Sequence, residues 1–237
     1  MIMFKFALKR GFFSPVALIL NCALPLFLLI ATRNNEATAG AVVFIANRSV
    51  VFVIAMAVMF GAFFMAKGIQ NDRMEGVLLR ILAGPVTMRD YLVQNLMGAA
   101  VPMVGLSVVI GVLGMILHGW TLTFAIGVAV CYAFLAITSI GLSFVWSSIF
   151  RNKESSSAAF TAVATLISFI GGLLLPLSML PDPLFYIGAL FPAHWAARAL
   201  QAMVDYGRFT QMYGLSILAM GLFAVAFIFL GAKRRLI

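Results

Sequence analysis

Apolar residues in this chain are gathered into six long runs separated by short polar stretches. The runs cover 14–32, 50–66, 91–117, 122–150, 158–180 and 213–232. A helix needs about 20 apolar residues to cross the ~30 Å hydrocarbon core of a bilayer, and each run is close to that length. Because a bilayer core holds no water to pair with backbone groups, the pattern predicts an all-α integral membrane protein with six transmembrane helices.

The composition supports a membrane protein, since 64% of the residues are hydrophobic and only 10% are charged. A soluble fold of 237 residues would have too little polar surface to face water at that composition. No stretch between the runs is long enough for a soluble domain. We therefore predict one transmembrane domain over residues 1–237.

Positive charge is distributed unevenly between the two alternate sets of loops. Twelve of the 16 Lys and Arg residues fall in the set that includes both termini, which predicts that the N- and C-termini are cytoplasmic. The net charge of +9 then reflects topology and attraction to anionic lipid rather than nucleic-acid binding. Within residues 1–13, Lys5 and Lys9 accompany apolar side chains, a pattern that suits either an interfacial helix or a simple charged flank.

A short charged segment, residues 70–86, lies between the second and third runs. Asp72 is suited to cap a helix there, and Glu75, three residues later, is suited to return the capping bond. Gly84 followed by Pro85 is a helix stop signal. The segment therefore predicts a helix of about three turns that begins at Asp72.

This helix has two distinct faces when its residues are placed at 100° intervals. The apolar stripe contains Met74, Val77, Leu78, Ile81 and Leu82. The polar side contains Asp72, Arg73, Glu75, Gly76 and Arg80. Leu79 lies alone within the polar side, where an apolar side chain gains nothing unless a partner protein covers it. We therefore predict a surface helix that docks a partner.

Residues 178–200, between the fifth and sixth runs, combine an apolar stretch too short to cross the membrane with Pro181, Pro183 and Pro192. Backbone that enters a membrane without crossing it is tolerated only where protein buries it or water reaches it. The segment therefore predicts an external re-entrant hairpin that packs on the bundle. His194 and Trp195 are expected at its interfacial rim, with aromatic anchoring favoured over ligand contact.

The chemistry of an independent pump is missing from the sequence. There is no Gly-x-x-x-x-Gly-Lys-[Ser/Thr] phosphate loop, and all seven acidic residues fall at or outside the ends of the predicted spans. Cys22 and Cys131 lie within predicted spans without a cluster of His or acidic residues, so neither a disulfide nor a metal site is expected. Ser143 has the Gly-x-Ser context of a rhomboid protease, but no histidine is placed to act as its base. Enzymatic activity is not expected.

The charged segment resembles the type-2 ABC transporter permeases, in which it commonly reads Glu-Arg-Glu-x-Gly-Thr-Leu-Glu-Arg-Leu-Leu-x-x-Pro. The matching residues here are Asp72, Arg73, Gly76, Leu78, Arg80, Ile81, Leu82 and Pro85, with Val77 in place of Thr. Met74 and Leu79 replace the two remaining acidic residues, which favours a more apolar contact. The segment 180–192 is similar to the outer hairpin of the family, with Phe191 in place of the usual Asn.

The resemblance covers essentially the full length and implies a six-span permease in a bacterial plasma (inner) membrane, with an interfacial helix over residues 1–13. It implies that residues 70–86 form a coupling helix for a separate cytoplasmic ABC ATPase, which would bind ATP and Mg²⁺ while this chain carries no cofactor. A second permease, identical or different, would complete the transport path. The transported substrate would be hydrophobic or amphipathic, such as a drug, lipid, peptide or glycan.

Candidate residues for the substrate path lie on the second and fifth spans, because these flank the dimer axis in the resembling family. They are Phe52, Met56, Phe60, Phe63, Thr161, Thr165 and Ser168. Lipid contact explains the Phe residues equally well, and hydroxyl bonds to the same helix explain the others. Two further classes stay open: a channel or ion-coupled carrier that works without ATP, and a membrane scaffold or immunity protein without flux.

Overall fold

The computed structural model describes residues 19, 23–33, 50–84, 87–147, 149 and 152–233. Regular structure in these ranges is helical, as the apolar runs predict. The α-helices are α1 (Leu24–Arg33), α2 (Val50–Met74), α3 (Val77–Leu82), α4 (Met88–His118), α5 (Leu122–Ser147), α6 (Lys153–Ile170), α7 (Asp182–Gly188), α8 (Pro192–Tyr206) and α9 (Gln211–Lys233). The interfacial helix predicted for residues 1–13 lies outside the described residues.

Three of the described helices are long and apolar enough to cross a bilayer, with spans over Asp90–His118, Leu122–Trp146 and Gln211–Gly231. Two further helices have shorter apolar parts, Val50–Phe64 in α2 and Glu154–Ile170 in α6. The first predicted span is described only in part, as the 10-residue helix α1. The described part of the chain therefore confirms an all-helical fold with three helices able to cross a membrane, while the number six stays a prediction.

The sequence pattern predicts that the fifth apolar run continues as one helix to residue 180. The structure shows a shorter helix. Helix α6 ends at Ile170, and Gly172 adopts a φ of 88°, in the left-handed region that favours glycine. A side chain on Gly172 would also collide with the Leu177 side chain. The chain therefore turns at this glycine and enters the α7–α8 hairpin.

Helix α5 forms the centre of the bundle and contacts α2, α4, α8 and α9. Buried tyrosine hydroxyls connect it to two neighbours, since Tyr132 donates to the carbonyl of Val51 and Tyr213 donates to the carbonyl of Gly127, both at 2.7 Å. Each bond supplies the phenol with an acceptor where water is excluded. These contacts fix the register of α5 against α2 and α9.

Contacts along α5 also identify the two ends of the bundle. Near its beginning, Cys131 donates from Sγ to the carbonyl of Ala196 in α8, at 3.6 Å. Near its end, the Trp146 ring meets Phe160, close to the beginning of α6. Helix α4 is antiparallel to α5 because only the turn at residues 119–121 joins them. Helix α3, which follows α2 and precedes α4, therefore lies at the end of the bundle opposite to α8.

Candidate functional site

The charged segment forms a helix, but that helix begins later than the sequence predicts. Helix α2 continues through Met74, and the amide of Glu75 still donates to the carbonyl of Asn71 at 2.9 Å. Gly76 then adopts a φ of 68° and caps α3, which begins at Val77. The prediction that Asp72 starts the helix is wrong, because the left-handed glycine rather than the capping-box pair separates α2 from α3.

Helix α3 has six residues and ends where the sequence predicts. The amide of Ala83 donates to the carbonyl of Leu79 at 3.0 Å, and the amide of Gly84 donates to that of Ile81 at 3.1 Å. These bonds satisfy carbonyls that the end of a helix would otherwise leave unpaired. Pro85, the predicted stop, lies outside the described residues.

The two faces of α3 are confirmed at the residues whose side chains the structure describes. Leu78 is 2% exposed and belongs to the hydrophobic core, and Ile81 packs against it. Leu79 is 58% exposed, and its neighbour Arg80 is exposed as well. The side chains of Arg73, Met74 and Leu82 lie outside the described part. Helix α3 therefore holds to the bundle by one face and presents an apolar side chain on the other.

Asp72 lies in the last turn of α2 and is 4% exposed, so its predicted place on the polar surface is wrong. The hydroxyl of Tyr91, in the first turn of α4, donates to Asp72 Oδ2 at 2.6 Å. Tyr91 is itself 1% exposed. A carboxylate taken out of water needs such a donor, which explains why Asp72 turns inward. Sequence reasoning missed Tyr91, because no local pattern pairs two residues 19 positions apart.

Helix α4 follows the charged segment of residues 70–86 and begins with its own cap. The hydroxyl of Thr87 accepts from the amide of Asp90 at 3.1 Å and donates to the Asp90 carboxylate at 2.6 Å. The carboxylate in the first turn is also favourable at the positive end of the helix dipole. The start of α4, and with it Tyr91, is therefore fixed locally.

Two of the aromatic residues suggested for the substrate path lie inside the bundle. Phe63 stacks nearly parallel on Phe160 of α6, and Phe60 meets the same ring edge-on, with 6.0 Å between centroids. Trp146 of α5 completes this aromatic cluster, with its centroid 5.5 Å from that of Phe160. Phe60 and Phe63 are 8% and 1% exposed. In this conformation they pack α2 against α6.

The hydroxyl residues suggested for the path lie along α6. Thr161, Thr165 and Ser168 donate to the carbonyls four residues earlier, at 2.7 to 2.9 Å. Thr161 and Thr165 are exposed beside a shallow surface depression on this helix, whereas Ser168 is buried. Phe52 and Met56 are half-buried on α2. The structure thus places these residues on two neighbouring helices, and the depression described here is lined from α6.

The segment predicted as a re-entrant hairpin consists of α7 and α8. Pro183 and Pro192 each lie in the first turn of a helix, where a missing N–H removes no helical bond, and Pro181 precedes α7. Helix α8 has 15 residues, neither α7 nor α8 is among the candidate spans, and α8 packs against α5 and α9. The predicted packing on the bundle is therefore confirmed. Met179, Tyr186 and Leu190 leave an exposed apolar edge.

The sequence suggests that His194 lies at an interfacial rim, but the structure shows that it is completely buried. Its ring meets the Phe185 ring edge-on with 4.8 Å between centroids, and neither ring nitrogen has a hydrogen-bond partner. This burial, together with the nearby positive charge of Arg198, lowers the pKa of His194 to about 4. The first turn of α8 faces inward because α7 covers it, which a periodicity argument cannot detect.

We expect acid to destabilise the hairpin through His194. A histidine whose folded pKa of about 4 lies below the ordinary 6.5 stabilises the fold fully above pH 6.5 and loses that contribution as pH falls towards 4. The loss between pH 7 and pH 5 is roughly 2 kcal/mol. Thermal unfolding in detergent, followed by tryptophan fluorescence, should show a larger drop for the wild type than for His194→Leu. Equal drops in the two proteins would contradict this role.

The family of the protein is decided by its sequence as a whole. A family model described as ABC-2 family transporter protein matches residues 25–233. The chain belongs to the ABC-2 transporter family. The match includes all of α2 to α9, so the ABC-2 assignment rests on the bundle, α3 and the hairpin together. No curated protein matches the sequence.

Membership makes this chain a multi-pass membrane permease of an ABC transporter. ABC-2 permeases are in general partners of an ABC ATPase subunit and are typically non-catalytic. The residues that the resemblance assigns to coupling are those around α3, and the structure brings Leu79, Arg80 and Glu75 to its exposed side. It takes Asp72 and Leu78 away from that side and uses them to hold the segment in place.

Proposed function

We propose that this ABC-2 permease is the membrane subunit of an ATP-driven exporter, and that its ATPase docks on α3. The observation that supports this most strongly is the exposure of Leu79, at 58%, on a helix in which the preceding residue, Leu78, is 2% exposed. A single large apolar side chain surrounded by polar groups is the usual centre of a protein interface. Arg80 and Glu75 would form the polar rim of that contact.

We place the ATPase in a separate subunit, as is general for ABC-2 permeases; the 237 residues themselves show no phosphate-binding loop. A partner that binds ATP can shift the permease between conformations only by as much as its affinity for them differs. Docking at α3 places that influence at the ends of α2 and α4, two long helices of the bundle. Export, a second permease and location in a bacterial plasma membrane follow from the same proposal.

The proposed cargo is hydrophobic or amphipathic. The depression along α6 is lined by small and hydroxyl residues together with Leu166, and it carries no charged group. Thr161 and Thr165 already use their hydroxyl protons within the helix, so they offer only acceptor oxygens to a ligand. Such a surface suits lipid-like molecules better than ions.

The proposal is tested by isolating the tagged protein from its native membrane in mild detergent. We expect a subunit with a phosphate-binding loop to copurify, and the complex to hydrolyse ATP. A buried variant, Leu78→Asp, would not serve as a control because it disrupts packing, so an untagged strain provides the background. Absence of any ATPase, together with vesicle flux driven by an ion gradient alone, would favour a carrier and overturn the proposal.

A further inference from the structure

Helix α3 depends on neighbouring elements for its position. Six residues are too few to form a stable helix in isolation. Only the turn at Glu75 and Gly76 separates it from α2, and only a short segment separates it from α4. Leu78 holds one face to the core. Whether a force on Leu79 moves the bundle therefore depends on how the ends of α2 and α4 are joined.

The Asp72–Tyr91 hydrogen bond joins these two ends directly. It connects the last turn of α2 to the first turn of α4 across 19 positions of sequence. The acceptor residue is 4% exposed and the donor residue 1% exposed, so water does not reach the pair freely. A buried bond to a carboxylate is stronger and more directional than the same bond at a surface. It closes the base of the docking segment into a loop.

Helix α4 runs from this base to the other end of the bundle, with Pro102 inside it. It has 31 residues, and at 1.5 Å per residue it is about 45 Å long. Its last residue, His118, donates from Nε2 to the carbonyl of Leu29 in α1, at 2.9 Å. A movement imposed on Tyr91 is thus connected through one helix to a contact with α1.

We propose that the Asp72–Tyr91 hydrogen bond is a positioning contact that clamps α2 to α4, so that displacement of α3 by a docked ATPase moves both helices together. The transmission of movement from a docked ATPase rests on the proposed function, whereas the Asp72–Tyr91 clamp does not. Tyr91 and Asp72 are therefore positioning residues in this proposal. They act through α3.

The clamp is tested without any partner by distance measurements between spin labels. One label is placed at Ala83→Cys, after α3, and the other at Val101→Cys on α4; Cys22→Ala removes a native thiol, and Cys131 is buried. We expect a narrow distance distribution, which Tyr91→Phe broadens. An unchanged distribution in Tyr91→Phe would overturn the clamp.

Two controls separate the clamp from general loosening of the fold. Asp72→Asn keeps an oxygen that accepts from the Tyr91 hydroxyl, so the 83–101 distribution should stay narrow. A label pair at Val101 and Val112, both exposed on α4, should give the same distribution with and without the Tyr91 hydroxyl. Broadening of this second pair would contradict a local clamp.

Transmission from the ATPase through this bond is tested on the complex that copurifies with the tagged protein. We expect Tyr91→Phe to retain the ATPase but to lower stimulation of its hydrolysis by about tenfold, the loss of one bond to a charged group. Wild-type stimulation in Tyr91→Phe would overturn transmission through this bond. If the wild type brings down no ATPase, the proposed function fails, and the label distances still decide the clamp.

Discussion

We expect Leu79→Asp to remove the proposed ATPase from the purified complex while the permease itself stays folded. Leu79 is 58% exposed, so the free protein loses little packing when the side chain becomes charged. In the docked complex the same carboxylate would be buried without a partner. Centres of protein interfaces typically contribute at least about 2 kcal/mol, which corresponds to about 30-fold in Kd. The amount of ATPase that copurifies per permease measures the effect.

Phe209→Asp is the matched control for this prediction. Phe209 is 53% exposed and lies in the connection between α8 and α9, at the other end of the bundle from α3. The substitution introduces the same charge at a similar exposure, so expression and thermal stability should respond alike. Copurification should stay at the wild-type level. Equal loss of ATPase in the two variants would show that α3 is not the docking surface.

Phe160→Ala is expected to destabilise the bundle by about 3 kcal/mol. The Phe160 ring contacts Phe60 and Phe63 of α2 and Trp146 of α5, so its removal leaves a cavity where three helices meet. We place the loss at the lower end of the range for soluble cores, because separated helices stay in an apolar solvent and only packing is lost. Thermal denaturation in detergent measures the change.

Phe169→Ala serves as the control on the same helix. Phe169 is 43% exposed, whereas Phe160 is 1% exposed, so the two substitutions remove the same atoms from different surroundings. We expect less than about 1 kcal/mol for Phe169→Ala. Similar stability of the two variants would contradict the aromatic cluster as a junction of α2, α5 and α6.

Much of the fold follows from the length and position of apolar runs, because a bilayer restricts the chain to helices of a set length. The runs predict α4, α5 and α9 well, since no glycine turn interrupts them. The fifth run misled the prediction because Gly172 turns the chain within an apolar stretch. The length of an apolar run does not reveal such a turn, in which Gly172 adopts a positive φ and leaves no room for a Cβ beside Leu177.

Helix α3 shows which part of a candidate site the sequence can predict. Periodicity correctly separates Leu78 from Leu79, because neighbours on a helix point in different directions. The capping signal fails for Asp72, because an aspartate is suited both to cap a helix and to accept a buried hydrogen bond. The partner of Asp72 is Tyr91, and the chain between them bends twice. Contacts of this kind depend on tertiary packing and leave no local pattern.

We propose that the exposed side of α3 contacts an ABC ATPase. Photo-crosslinking tests this contact: Leu79 is replaced with p-benzoylphenylalanine in the native host, and the crosslinked protein is identified by mass spectrometry. We expect a crosslink to a subunit that contains a phosphate-binding loop, and none to that subunit when Phe209 is replaced in the same way. A probe at position 79 that reacts only with lipid, or with no ATPase, would contradict it.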